Sequence, residues 1–84
     1  MKVLDFYADW CNPCKSLAPV LDKVIEEKGL ELTKVNIEED VEDLSIKYNV
    51  RNIPTVVVID ENGDEVKRFS GMKQESDVRE FLTI

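Results

Sequence analysis

The chain has 84 residues, 18 acidic against 11 basic, for a net charge of −7. That length allows one domain with a modest core, and the acidic balance argues against binding a phosphate backbone. It contains no histidine and only two cysteines, which excludes Cys-His and Ser-His-Asp nucleophile activation and any histidine-containing zinc site.

Residues Lys2 to Ala8 read as a strand apolar on both faces, suited to the middle of a sheet. One residue breaks the pattern: Asp5, a lone carboxylate. Burial there disfavours its charge and raises its pKa, which suits a proton acceptor. The bland alternative is a carboxylate facing solvent at the strand start. No stretch approaches about 20 apolar residues, so no membrane span is expected. The opening residues run straight into Asp5, so no secretory signal is expected and the predicted location is the cytoplasm.

Cys11-Asn12-Pro13-Cys14 follows at a strand-to-helix junction. Cys11 or Asn12 can cap the helix, and Pro13 fits its first turn, where a missing N–H costs nothing. Two sulfurs at this spacing can close a disulfide across one helical turn. The first lies against unpaired helical N–H groups and the positive end of the dipole, which favour thiolate and lower its pKa. A Cys-X-X-Cys beside a βαβ pattern is a redox signature. Cys14, one turn inside the helix, is expected to be the more buried thiol. Inert core cysteines, or half of an intermolecular metal site, are the competing reading.

The helix carries Leu17, Val20, Leu21, Val24 and Ile25 on one stripe and ends at Lys28-Gly29. Pro19 lies inside it and should kink it. A strand is predicted over Glu31–Ile37, then a short acidic helix over Glu38–Tyr48 with Val41, Leu44 and Tyr48 on one side. Thr55–Ile59 reads as a buried strand. Asn62-Gly63 signals a hairpin, and Glu65–Ser70 is its more polar return strand, placed at an edge. A last helix covers Gln74–Leu82 with Val78, Phe81 and Leu82 inward. The order β-α-β-α-β-β-α implies a parallel first pair, an antiparallel last pair and a four-stranded mixed sheet with helices on both faces. This is an α/β chain of one domain, residues 1–84.

Several motifs in order resemble the thioredoxin family: Asp5-Phe6-Tyr7-Ala8, Trp10-Cys11-Asn12-Pro13-Cys14-Lys15, Ala18-Pro19, Lys34-Val35-Asn36-Ile37, Arg51-Asn52-Ile53-Pro54-Thr55 and Gly71. The resemblance covers nearly the whole chain. It implies a thioredoxin-like fold in a minimal form. The strand and helix that thioredoxins usually carry before the Asp5 strand are absent from this sequence, so the strand at Glu31 is expected at an open edge. Polar Thr33, Lys34 and Asn36 would discourage association there. Asn12 stands where the family usually has glycine.

The resemblance further implies a protein disulfide oxidoreductase with no bound cofactor beyond a redox-active Cys11–Cys14 disulfide. Cys11 would attack a substrate disulfide, and Cys14 would attack Cys11 to release the product. Asp5 would accept the Cys14 proton, and Lys34 would tune Asp5, although a lysine on an edge strand is also an ordinary solvated charge. The Ile53–Pro54 bond would be cis, leaving the Ile53 backbone to pair with an extended substrate. Trp10, Asn12, Pro13, Ile53, Gly71 and Met72 would form the substrate-binding patch. Trp10 packed in the core, Gly71 as a turn residue and Met72 as a gap-filler are their plainer readings. The implied partners are disulfide-bearing proteins and a flavin- and NADPH-dependent reductase, with no nucleic acid, no membrane and a monomeric state. The alternatives are a glutathione-linked, glutaredoxin-like protein, which the short fold favours, and a non-catalytic binding subunit using the same patch.

Overall fold

A computed structural model describes all residues, 1–84. The elements are β1 (Lys2–Tyr7), α1 (Asn12–Lys28), β2 (Glu31–Asn36), a 3₁₀ turn (Ile37–Glu39), α2 (Leu44–Lys47), β3 (Thr55–Ile59), β4 (Glu65–Ser70) and α3 (Glu75–Phe81). The sheet order is β2-β1-β3-β4. β1 pairs parallel with β2 and antiparallel with β3, and β3 pairs antiparallel with β4. This is the thioredoxin-like α/β fold that the element order implies, with β2 and β4 at its edges. No helix is long and apolar enough to cross a membrane.

The pleat sorts the core into two layers. Val3 of β1 joins Leu17, Leu21, Val24, Val78 and Leu82 under α1 and α3. Leu4 and Phe6 turn the other way, toward Val35, Val57, Tyr48 and the flanking Leu44 and Val50. β1 and β3 are buried on both faces, which is why their sequences are near-continuous apolar runs. Asp5 shares the α1 side with Val3, because the side-chain period along a strand is two.

α1 begins at a cap formed by Cys11 and ends where Gly29 takes φ 63°, its N–H bonded to the last turn. The helix continues through Pro19, which lies on its exposed side. The hairpin turn spans Asp60–Asp64. The Asp60 carboxylate accepts the N–H groups of Asn62 and Asp64, and the Gly63 N–H donates to the Asp60 carbonyl.

One predicted element is corrected. The acidic helix over Glu38–Tyr48 is instead a single 3₁₀ turn and the four-residue α2. Short polar side chains capture the backbone first. Asn36 Oδ1 accepts the Glu38 N–H at 3.0 Å. The Asp40 carboxylate accepts the N–H groups of Leu44 and Ser45 at 2.9 and 2.7 Å, together with the Ser45 hydroxyl at 2.6 Å. Asp43 has φ 52°, which a continuing helix does not allow. Val41, placed by periodicity on the apolar face, is 92% exposed.

Candidate active site at the mouth of helix α1

β1 ends at Tyr7, and three residues separate it from Cys11, whose N–H donates to the Ala8 carbonyl at 3.1 Å. Cys11 adopts extended geometry (φ −90°, ψ 105°) as the N-cap of α1. Its Sγ accepts the Cys14 N–H at 3.2 Å. A sulfur thus occupies the place where a serine or aspartate oxygen usually satisfies a helix donor. The same N–H and the helix dipole favour negative charge on that sulfur once it is reduced. Asn12 and Pro13 form the exposed start of the first turn.

The two cysteines are joined as a disulfide with their Cα atoms 5.3 Å apart. The expectation that Cys14 is the more buried is corrected: each cysteine is 5% exposed. Both pack with Ala8 and against Tyr7, Ile37 and Ile53. The cap position does not lift Cys11 clear of its surroundings, because it belongs to a small cluster with Ala8 and Cys14 against which Tyr7, Ile37 and Ile53 pack.

On the α1 side of the sulfurs lies a cavity of about 460 Å³, bordered by Asp5, Tyr7, Cys14, Ala18 and Lys34 among others. Asp5 is 4% exposed. No protein group hydrogen-bonds to its carboxyl, yet no buried side-chain oxygen in the molecule is sealed without a partner, so the Asp5 oxygens open onto the cavity. Burial pushes its pKa up to about 6; Lys34 pulls it down and Asp22 pushes it up. Lys34 stands beside Asp5 in the β1–β2 register and makes an ion pair with Asp22 of α1 at 3.1 Å.

On the other side is a groove of about 400 Å³, which includes Trp10, Ile37, Val50, Arg51 and Ile53. Trp10 is 64% exposed, and its indole N–H donates to Glu38 Oε1 at 3.1 Å. The Ile53–Pro54 peptide is cis. The Pro54 carbonyl accepts the Gly71 N–H at 2.8 Å, with Gly71 at φ 86°, a conformation that favours glycine. Neither backbone group of Ile53 is engaged by another backbone group. Met72 is half exposed beyond Gly71.

The structure therefore gathers Cys11, Cys14, Asp5 and Lys34 around one cavity or its rim, and Trp10 and Ile53 along one groove. Gly71 reaches the site through Pro54. Met72 does not border the groove that holds Trp10. Sequence reasoning passed over Tyr7, Glu38 and Asp22. Tyr7 was readable from strand alternation, two residues beyond Asp5. Glu38 was hidden by the mistaken helix.

The thioredoxin family model matches residues 1–84. The chain is 44% identical over 82 residues to a mitochondrial thioredoxin of Mus musculus, covering 95% of this chain and 48% of that protein. It is 38% identical to a thioredoxin of Bacillus subtilis, covering 93% and 75%. Among solved structures it is similar to Fasciola hepatica thioredoxin, with a TM-score of 0.83 and 40% identity over 98% of this chain and 77% of that one. A mutant thioredoxin from Halobacterium salinarum superposes with a TM-score of 0.86 at 32% identity, covering 96% and 70%. The chain belongs to the thioredoxin family. It spans about half the length of the mammalian relatives it matches.

Proposed function

We propose that residues 1–84 form one domain that reduces protein disulfides through Cys11 and Cys14. The observation that carries this reading is the Cys11 sulfur capping α1, bonded to Cys14 and accepting its N–H. As a thiolate, Cys11 attacks one sulfur of the substrate disulfide, forming a mixed disulfide and expelling the other substrate thiolate. Cys14 then gives its proton to Asp5 through the cavity and attacks the Cys11 sulfur. The substrate leaves reduced by the two electrons that the dithiol gives up, and the protein is left with the Cys11–Cys14 disulfide.

An extended substrate lies along the groove, pairing with the free backbone groups of Ile53 and packing on Trp10. Pro54 and Gly71 hold that backbone in place, Asn12 and Pro13 front the attacking sulfur, and Met72 extends the patch. Lys34, shared between Asp22 and Asp5, moderates the Asp5 carboxyl. A flavoprotein reductase using NADPH restores the dithiol, in a reducing compartment such as the cytoplasm, with the protein acting as a monomer. Neither nucleic acid nor membrane has a part, and no cofactor is required besides the disulfide.

Two experiments test the reading. Insulin reduction driven by a flavoprotein reductase with NADPH should exceed that driven by glutathione; the reverse order favours the glutaredoxin-like alternative. Alkylation of Cys11 against pH should have a midpoint well below that of a free thiol, about 8.5. A midpoint at or above it would make the cysteines structural and leave a non-catalytic binding role.

A further inference from the structure

Almost every basic side chain is held within the molecule, by a carboxylate, by the Thr83 hydroxyl or over an aromatic ring. Two are not, Lys15 and Arg51, and each borders one of the two spaces that flank the dithiol. Lys15 shares its cavity with Asp5, Asp9 and Lys34, so its surroundings are mixed. Arg51 is the one charged residue lining the groove. It is exposed, and no ion pair or hydrogen bond engages its guanidinium. The bend that carries it is fixed from the core: the fully buried Thr55 hydroxyl donates to the Asn52 carbonyl at 2.6 Å. The carboxylates of the neighbouring turn do not answer it. Glu38 takes the Trp10 indole N–H, Asp40 holds Leu44 and Ser45, and none of Glu39, Glu42 and Asp43 borders the groove. An unfilled guanidinium thus stands two residues from the free backbone groups of Ile53. A planar fork of donors in such a place matches a carboxylate.

We propose that Arg51 sets the specificity of the groove, selecting disulfides whose flanking extended segment carries an acidic side chain. That carboxylate accepts from the guanidinium while the segment pairs with Ile53, and the substrate sulfur is presented to Cys11. Arg51 binds and orients, and takes no part in the exchange of sulfurs. This rests on the dithiol reading above and names the class of substrate that the groove prefers.

The charge of the whole molecule opposes this choice. At a net −7 it attracts cations, so without a local contact a basic peptide should react faster than an acidic one. A preference for the acidic peptide is therefore a signature of the contact and not of the overall field.

The test uses the full chain with Cys14→Ser, reduced, so that only Cys11 reacts. The probes are two extended peptides, each carrying its single cysteine as a 2-thiopyridyl disulfide. They are alike except for glutamate or lysine two residues to either side of that cysteine. Cys11 thiolate attacks the peptide sulfur, a Cys11–peptide disulfide forms, and thiopyridone leaves with the electron pair of the broken S–S bond. Absorbance reads the thiopyridone and intact mass reads the adduct. The glutamate peptide should react about 3- to 5-fold faster, the range of a partly exposed ion pair. Arg51→Gln should reverse the order, because only the field of the molecule then acts, and Arg51→Glu should widen the reversal. Lys15→Gln should leave the order as it was. The order of two rates within one protein is a readout that a merely structural loss does not invert. Equal rates before any change at Arg51, a faster lysine peptide, or a preference that survives Arg51→Gln overturns the proposal. An equal loss of preference in Lys15→Gln overturns it as well, since it would trace the effect to general charge. Failure of Cys11 to react with either peptide sinks the dithiol reading itself.

Discussion

The groove at Trp10 and the cavity at Asp5 flank the dithiol on opposite layers of the sheet, and they offer it different groups. The groove joins Trp10, Ile37, Val50 and Ile53 to Ser45, Arg51 and Asn52, with free backbone groups at Ile53. The cavity is bordered by Asp5, Asp9, Lys15 and Lys34 and holds the buried Asp5 carboxyl. One strand makes both, because alternate β1 residues face alternate layers: Leu4 and Phe6 support the groove side, while Asp5 and Tyr7 border the cavity. The lesson is a division of labour. The groove presents an indole and a free backbone edge, whereas the buried carboxyl lies on the other layer.

The largest expected effect breaks the groove side. Cys11→Ser should reduce insulin turnover to the uncatalysed rate, because no thiolate remains at the helix mouth. Cys14→Ser should still take the first step and accumulate a mixed disulfide, visible as a covalent complex by mass. Insulin reduction persisting without Cys11 would mean that protein substrates do not enter by the groove.

Asp5→Asn breaks the cavity side. Release of substrate from the mixed disulfide should slow about 100-fold, the usual contribution of a positioned base, while the first attack by Cys11 is unchanged. In the parent protein the release rate should fall as pH drops below about 6, where Asp5 gains its proton. Stability moves the other way. The folded carboxyl has a pKa of about 6 against 3.8 for its ordinary value, so between these values the native state binds more protons than the unfolded one. Stability therefore falls as pH rises through that window and stays lower above it. The cost above pH 6 is about 3 kcal/mol. Asp5→Asn should recover part of this at pH 7 and nothing below pH 4, as urea midpoints at both pH values would reveal. An unchanged midpoint at pH 7 would mean that Asp5 is better solvated than its burial indicates.

How much of this was legible in the sequence follows the same division. On the cavity side Asp5 and the two cysteines were readable, while Tyr7 and Asp22 were passed over. The apolar pattern of the strand singled out Asp5 and the cap position singled out the cysteines, whereas Lys34 came from the resemblance and the β1–β2 register sets it beside Asp5. The groove side was readable only in part. Trp10 and Ile53 came from the resemblance to a family, not from any period. Their neighbour Glu38 lay in a stretch whose apolar spacing suggested a helix, while Asn36 and Asp40 bonded the backbone into turns. Periodicity does not register that competition, because it weighs apolar positions and ignores what short polar side chains do locally. The burial of Cys11 was also hidden, since the cluster it forms with Ala8 and Cys14 is covered by residues distant in sequence, Ile37 and Ile53.

Trp10→Ala should raise KM for insulin about 10-fold and leave kcat within a factor of two, as for an aromatic anchor at an interface. Trp10 is largely exposed, so stability should move by no more than about 0.5 kcal/mol. Release of substrate from the mixed disulfide should be untouched. A matching loss in release would show that the two sides are not separate.

The smallest effect sharpens the comparison further. Asp40 receives three hydrogen bonds from Leu44 and Ser45 and fixes the turn that delivers the outer wall of the groove. Burial pushes its pKa up, but the bonds from Ser45 and Leu44 outweigh that and hold it below the usual value. Asp40→Ala should cost about 1 kcal/mol, the worth of a helix cap. That stability is present above the ordinary carboxylate pKa and is lost as pH falls through the lowered folded one, so the gap between variant and parent should close in acid. Because Ser45 and Ile37 border the groove and Asp5 does not, KM for insulin should rise a few-fold while the pH profile of substrate release stays fixed. A shift in that profile would tie the capped turn to the carboxyl on the far layer, and the two sides of the dithiol would then be one site.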